Sequence, residues 1–165
     1  MRKDVVDTIA AAWAQELPPV SGLHFELAKR AARLSALFSE RVNAELAKLG
    51  LTKAEYEILA VLRAAGAPYR LRPSDLGARL MLSSGGTSNL LRRLGDAGLI
   101  EREADASDAR SSRVRLSDDG IGVAEKAVLA ASAVQAELLT RVTPELAEAA
   151  NAALRDLLIA LGDGA

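Results

Sequence analysis

Six residues in one short stretch carry the clearest chemistry of this 165-residue chain: Ser84, Gly85, Ser88, Asn89, Arg92 and Arg93. Helical spacing gathers them on a single face, because Thr87, Leu90, Leu91 and Leu94 recur at i, i+3, i+4, i+7 and claim the other. The polar face is small at its start and rich in hydrogen-bonding groups after it. Small residues at a helix N-terminus let the backbone approach a phosphate. Asn and Arg can each read a base edge bidentately in a DNA major groove. Ser83 has the side chain of an N-cap and Gly98 that of a C′ stop, so the helix has both punctuation marks. Arg92 shares its face with Ser88 and Asn89 and is the better base or phosphate contact. Arg93 is turned about 100° from it on a helix of 3.6 residues per turn, and is read as a phosphate contact or a solvated residue.

The segment that follows adds a second set of cations. Leu99–Glu103 and Arg113–Ser117 are short alternating runs, and Asp105–Ser112 joins them without a large apolar residue. The pattern predicts a β-hairpin with a loop longer than a tight two-residue turn, with Arg110 near its tip. Arg110 is either a solvated loop arginine paired with Asp108 or a guanidinium aimed at the negative potential of a narrow minor groove. Arg113 and Arg115 serve phosphates or the solvent face of the hairpin. A reading helix followed at once by a hairpin is a winged helix.

Other segments must position these residues. Residues 3–16 predict a short helix, with Val5, Val6, Ile9, Ala12 and Trp13 in a partial apolar stripe that Leu17-Pro18-Pro19 breaks. A long helix is expected from Ser21 to Leu49, with Leu23, Leu27, Leu34, Leu37, Phe38, Val42, Leu46 and Leu49 spaced mostly by three and four. Thr52 and Glu55 form a capping box that opens the next helix, which runs to about Ala65. Pro73 suits a helix N1 position, and Asp75–Leu80 is the first helix of a helix-turn-helix. After the hairpin, one helix runs from Asp118 to about Val142 and another from Glu145 to Leu161. The fold class is mainly α with a small β wing, six or seven helices per subunit. The expected organisation is N-terminal helices over 1–50, a winged helix-turn-helix lobe over 51–117 and C-terminal helices over 118–165.

Composition narrows the function. The formal net charge is −1, yet residues 51–116 hold 11 Lys or Arg against 8 Asp or Glu. That places a basic lobe on an acidic remainder, as expected for a nucleic-acid reader. There is no Cys and a single His24, so disulfides, thiol chemistry and Cys zinc sites are excluded, and no metal or other cofactor is expected. Gly85-Gly86 lacks the strand and Lys of a phosphate-binding loop, and Asp118-Asp119-Gly120 lacks the alternate oxygen ligands of a calcium loop. No catalytic constellation surrounds His24, so an enzyme is not expected. No run approaches the roughly 18 apolar residues of a membrane span, nor is there a signal-peptide core, so a cytoplasmic protein is expected.

The run Asp108-Ala109-Arg110-Ser111-Ser112-Arg113-Val114-Arg115-Leu116-Ser117 resembles the D-x-R-x-x-x-V-x-L-[ST] wing signature of the MarR family of bacterial transcriptional regulators. Leu51-Thr52, the Leu76–Leu80 helix and Gly98-Leu99-Ile100 fall where that family has them, and the resemblance covers about residues 21–161. It implies a homodimer built through the end helices, binding double-stranded DNA at a palindromic operator, as a ligand-responsive regulator and a repressor. The rival reading is a winged helix that binds a protein partner instead of DNA. The N-terminal run Val6–Trp13, the Pro68–Pro73 segment and Leu80–Gly85 are also similar to the urate-responsive branch of that family, the PecS and HucR type. The branch's ligand set of Trp, Asp, Arg and Arg falls on Trp13, Glu57, Leu90 and Arg102. Trp13 and Arg102 match, and Glu57 keeps the charge. Leu90 stands where the branch has a cation, which implies a small aromatic or weakly acidic ligand less anionic or more apolar than urate.

Overall fold

The computed structural model describes residues 3–105 and 108–163, with the side chains of residues 105–111 outside the description. It divides into two compact units, residues 1–41 and 42–165, and the boundary falls within a helix.

The first unit holds α1 (Val5–Glu16), a short 3-10 helix (Pro18–Val20) and the start of α2 (Leu23–Lys48). Asp4 caps α1. Its Oδ1 accepts from the Val6 and Asp7 amides at 2.8 and 3.1 Å, and Asp7 Oδ2 accepts from the Asp4 amide at 2.7 Å, a reciprocal capping box. Arg30 of α2 fastens this cap, donating to Asp4 at 2.8 Å, Asp7 at 2.8 Å and Glu26 at 2.7 Å. The Arg30 guanidinium holds the Asp4 carboxyl at about 2, well below the usual carboxylate range. The Leu17-Pro18-Pro19 break lies where the sequence places it, and Leu17 N–H closes the helix onto the Trp13 carbonyl at 2.8 Å.

The second unit holds the rest of α2, then α3 (Lys53–Ala64), β1 (Arg70–Leu71), α4 (Pro73–Arg79), α5 (Ser84–Asp96), β2 (Ile100–Asp105), β3 (Asp108–Leu116), α6 (Asp118–Leu139) and α7 (Pro144–Ala160). Thr52 and Glu55 form the expected capping box, and Pro73 sits at the first position of α4. The sheet is antiparallel in the order β1-β3-β2, with Leu71 opposite Val114, Arg102 opposite Val114 and Glu103 opposite Arg113. Its strands run nearer the tip than the polar composition of residues 105–112 predicts. β2 reaches Asp105 and β3 begins at Asp108, with a register shift at Ala104/Asp105. Backbone pairing needs no apolar side chains, so alternation of apolar residues understates strand length where the strand residues are polar.

One apolar cluster holds this unit together. Ile58, Leu59 and Leu62 of α3, Leu76 of α4, Leu91 and Leu94 of α5, Ile100, Val114 and Leu116 of the sheet, and Ala124, Ala127 and Ala131 of α6 are all buried in it. Alanines at three successive turns of α6 leave little side chain between that helix and its neighbours. Ser117 joins the wing to α6: its hydroxyl donates to the Gly98 carbonyl at 2.6 Å and accepts from the Gly120 amide at 3.0 Å.

Two expected apolar stripes do not become core. On α2 only Val42 and Leu46 are buried, whereas Leu23, Leu27, Leu34 and Leu37, and Leu49 just past its end, are exposed. On α7 no residue is buried, and Leu146, Leu154, Leu157, Leu158 and Ile159 are exposed. Among the described residues no helix is long and apolar enough to cross a membrane.

Candidate nucleic-acid interface

α4, a turn and α5 form the helix-turn-helix. The turn passes through Met81, at φ 51° and almost fully exposed, and the Leu82 amide returns to the Gly77 carbonyl at 2.9 Å. A non-glycine residue in the left-handed region carries a small conformational cost that the tight turn imposes. Gly77 allows the two helices to meet, since a Cβ there would lie 3.2 Å from Thr87 Oγ1.

α5 starts as its sequence dictates. Ser83 Oγ accepts from the Gly86 amide at 3.1 Å, and the Thr87 hydroxyl donates to the Ser83 carbonyl at 3.0 Å. Thr87, Leu91 and Leu94 are buried and Leu90 is partly buried against the same core, so the expected stripe faces inward. Ser84, Gly85, Ser88, Asn89, Arg92 and Arg93 are all exposed. A Cβ on Gly85 would meet nothing within 4 Å. Glycine there opens the helix start outward, where first-turn amides lack partners inside the helix.

The geometry separates the two arginines. Arg92 donates to Asn89 Oδ1 at 2.9 Å and lies 3.4 Å from Asp96, both on the outer face. Its side chain is 65 % exposed and that of Asp96 69 %. An ion pair this open holds little energy, so Arg92 is released at small cost. Arg93 instead reaches Glu55 on α3 at 2.9 Å, a carboxylate whose side chain is only 8 % exposed. Glu55 also accepts from the Thr52 amide and hydroxyl at 2.9 and 2.6 Å. Burial works against the Glu55 charge, but the Thr52 hydrogen bonds and the Arg93 guanidinium outweigh it and lower its pKa. Neither role weighed for Arg93 from sequence included this ion pair.

In the wing, Arg115 lies between Glu101 and Glu103, 2.7 Å from the latter, and Arg70 of β1 lies 3.6 Å from Glu103. These carboxylates neutralise cations at the base of the sheet. Arg113 is partly buried opposite Glu103. Arg110 belongs to β3 by its backbone, and its side chain lies outside the described residues.

The residues that the urate-branch resemblance assigns to a ligand are accessible on their own elements. Trp13 on α1 is 41 % exposed. Glu57 on α3 lies 3.8 Å from Lys53. Arg102 on β2 is exposed and lines a groove of about 450 Å³ with Ser88, Leu91, Arg92, Gly95, Asp96 and Ile100. Leu90 is partly buried, so the position where the branch has a cation is here a core contact.

The sequence model of the MarR family matches residues 49–111. The transcriptional regulator PecS of Dickeya dadantii is 30 % identical over 123 residues, 74 % of each chain. This chain belongs to the MarR family. A second relative, the HTH-type transcriptional repressor Rv2887 of Mycobacterium tuberculosis, is 31 % identical over 111 residues, 67 % of this chain and 78 % of its own. Among solved structures, a MarR-family regulator from Silicibacter pomeroyi superposes with a TM-score of 0.67 at 27 % identity, over 86 % of this chain and 93 % of its own. A mutant MarR of E. coli complexed with operator DNA gives 0.72 at 20 % identity, over 94 % and 99 %, a likeness of fold. The protein is thus a MarR-family transcriptional regulator with a winged helix-turn-helix fold.

Proposed function

We propose that this regulator is a ligand-responsive repressor that binds a palindromic operator in double-stranded DNA as a homodimer, in the cytoplasm. The observation that carries the DNA reading is the outer face of α5. It presents Ser84, Gly85, Ser88 and the hydrogen-bonded Asn89–Arg92 pair together, on a helix whose opposite face is locked into the core. Phosphate contacts would come from the α5 start and Arg113, base contacts from Asn89 and Arg92, and a minor-groove contact from Arg110. Residues 51–117 are read as the DNA-binding lobe, and the helices over 1–50 and 118–165 as the dimerisation parts. The exposed leucines of α2 and α7 support that division, because apolar stripes left outside a subunit's core are the usual mark of a partner surface. A two-fold dimer sets half-site centres about 10 bp apart or a multiple of that.

The test is selection of an operator from a randomised duplex pool, followed by affinity measurement over a salt series. Each neutralised phosphate contributes about −0.9 to the slope of log affinity against log salt, so a steep line is expected. Arg92→Ala is expected to cost about 1–3 kcal/mol and relax preference within the half-site, and Arg110→Ala to weaken binding at AT-rich flanks. A flat salt line, or unchanged affinity in both variants, refutes the DNA reading.

For the ligand, the reading rests on Trp13, Glu57 and Arg102. Trp13 is the chain's one tryptophan, so its emission reports on that residue without interference. Aromatic acids of low charge are expected to quench it and to lower operator affinity, with urate acting weakly. The Arg102→Ala variant is expected to lose the response while keeping its fold. A ligand shifts DNA binding only if it prefers the DNA-incompetent geometry, so quenching without loss of DNA affinity refutes the regulatory role.

A further inference from the structure

We infer that Arg93 is a positioning residue of the reading helix, tying α5 to the N-terminal cap of α3 through Glu55, and does not itself contact DNA. This rests on the DNA-binding reading above and assigns a different task to one of its residues. Three observations point the same way. The Arg93 guanidinium lies 2.9 Å from Glu55 Oε1, between residues 38 positions apart in the chain. Glu55 is almost entirely buried and its other oxygen is already taken by the Thr52 amide and hydroxyl, so Arg93 is its cationic partner in the described structure. A buried carboxylate deprived of its cation is costly, whereas Arg92 on the outer face gives up only an exposed pair. A phosphate would therefore have to draw Arg93 away from a partner that needs it, while Arg92, one residue earlier, is available.

The arrangement also fits what α5 requires. Its inner face is held by Thr87, Leu91 and Leu94, apolar packing that resists separation but says little about rotation of the helix about its own axis. An ion pair of 2.9 Å from the flank of the helix to a capped helix start adds an attachment away from the buried stripe, which opposes that rotation. Base reading by Asn89 and Arg92 depends on that rotation, since bidentate contacts tolerate little angular error.

The experiment uses Arg93→Gln, Glu55→Gln and the double variant in the full chain, with an operator selected by the unmodified protein and a scrambled duplex of the same length. If Arg93 positions α5, Arg93→Gln lowers operator affinity about tenfold, leaves scrambled-duplex affinity unchanged and leaves the salt slope unchanged. Glu55→Gln gives the same loss, and the double variant is no worse than either single one. If Arg93 contacts a phosphate, Arg93→Gln reduces the salt slope by about 2 per dimer and weakens both duplexes, and Glu55→Gln leaves affinity intact or raises it. That result overturns the inference. Arg93 is on the surface, so the slope of Arg93→Gln alone decides the matter if Glu55→Gln fails to fold. A protein that selects no sequence from the pool overturns the DNA reading and this inference with it. Selection with an altered slope overturns this inference alone.

Discussion

Gly120→Ala is expected to destabilise the protein by about 3 kcal/mol, among the larger effects that a single added methyl can have. A Cβ at Gly120 would lie 1.9 Å from the Leu99 carbonyl oxygen and 2.9 Å from its carbon. Those are backbone atoms at the start of the wing, so no rotamer change relieves the clash. The same few residues fasten the wing to α6: Ser117 N–H donates to Leu99 O at 3.1 Å, and the Ser117 hydroxyl bridges Gly98 O and Gly120 N. The methyl must push α6 from the wing and pull on all three hydrogen bonds. In a chain of this size the loss corresponds to a fall in Tm of roughly 6–12 °C. Gly122→Ala is the control two residues on. Its Cβ meets nothing within 4 Å, so it should stabilise α6 by up to about 1 kcal/mol through helix propensity alone. Equal thermal melting of the two variants would mean that the close approach at Leu99 is not a constraint.

The sequence carried the fold further than it carried the site. Element types were legible because each signal was local: Thr52 with Glu55 three residues on, Pro73 at a helix start, Ser83 and Gly98 at the two ends of α5. Asp4 and Asp7 follow the same reciprocal spacing as Thr52 and Glu55, and their box was legible in principle, but two acids near a chain start read equally well as solvated charges. What local pattern cannot carry is the choice of partner. Arg92 and Arg93 are chemically identical neighbours, and only the fold shows that one meets Asn89 and Asp96 on the outer face while the other meets a buried carboxylate from another helix. Gly77 and Gly120 are likewise silent in the sequence, because the atom that crowds a Cβ at the first and forbids one at the second comes from a different element. Periodicity also cannot tell an intrasubunit core from an intersubunit one. The stripes of α2 and α7 have the same spacing as that of α3, yet α3 buries its leucines within the chain, whereas α2 buries Leu46 alone among its leucines and α7 buries none.

That last distinction leads to the largest effect expected on DNA binding. Introducing Leu154→Asp and Leu158→Asp together is expected to convert a dimer into a monomer at micromolar concentration and to lower operator affinity a hundredfold or more. The two leucines stand one turn apart on α7 and are 40 % and 49 % exposed. Each leaves apolar area in water that would contribute roughly 1 kcal/mol if covered. Leu146, Leu157 and Ile159 extend the same exposure along the helix, so several kilocalories per mole per subunit are open to a second copy. Two carboxylates on that surface would remain unpaired on association and oppose it strongly. Their effect within the subunit should be small, since no α7 residue is buried in it. Helical content is expected to persist, with a lower and more concentration-dependent melting temperature as the linkage to assembly is lost. DNA affinity follows because a palindromic site is bound through two half-site contacts whose energies add only when the subunits are joined. Sedimentation velocity and operator titration on the same samples make the check. A double variant that remains dimeric removes α7 from the interface. One that becomes monomeric but binds its operator undiminished shows that each subunit reads DNA alone.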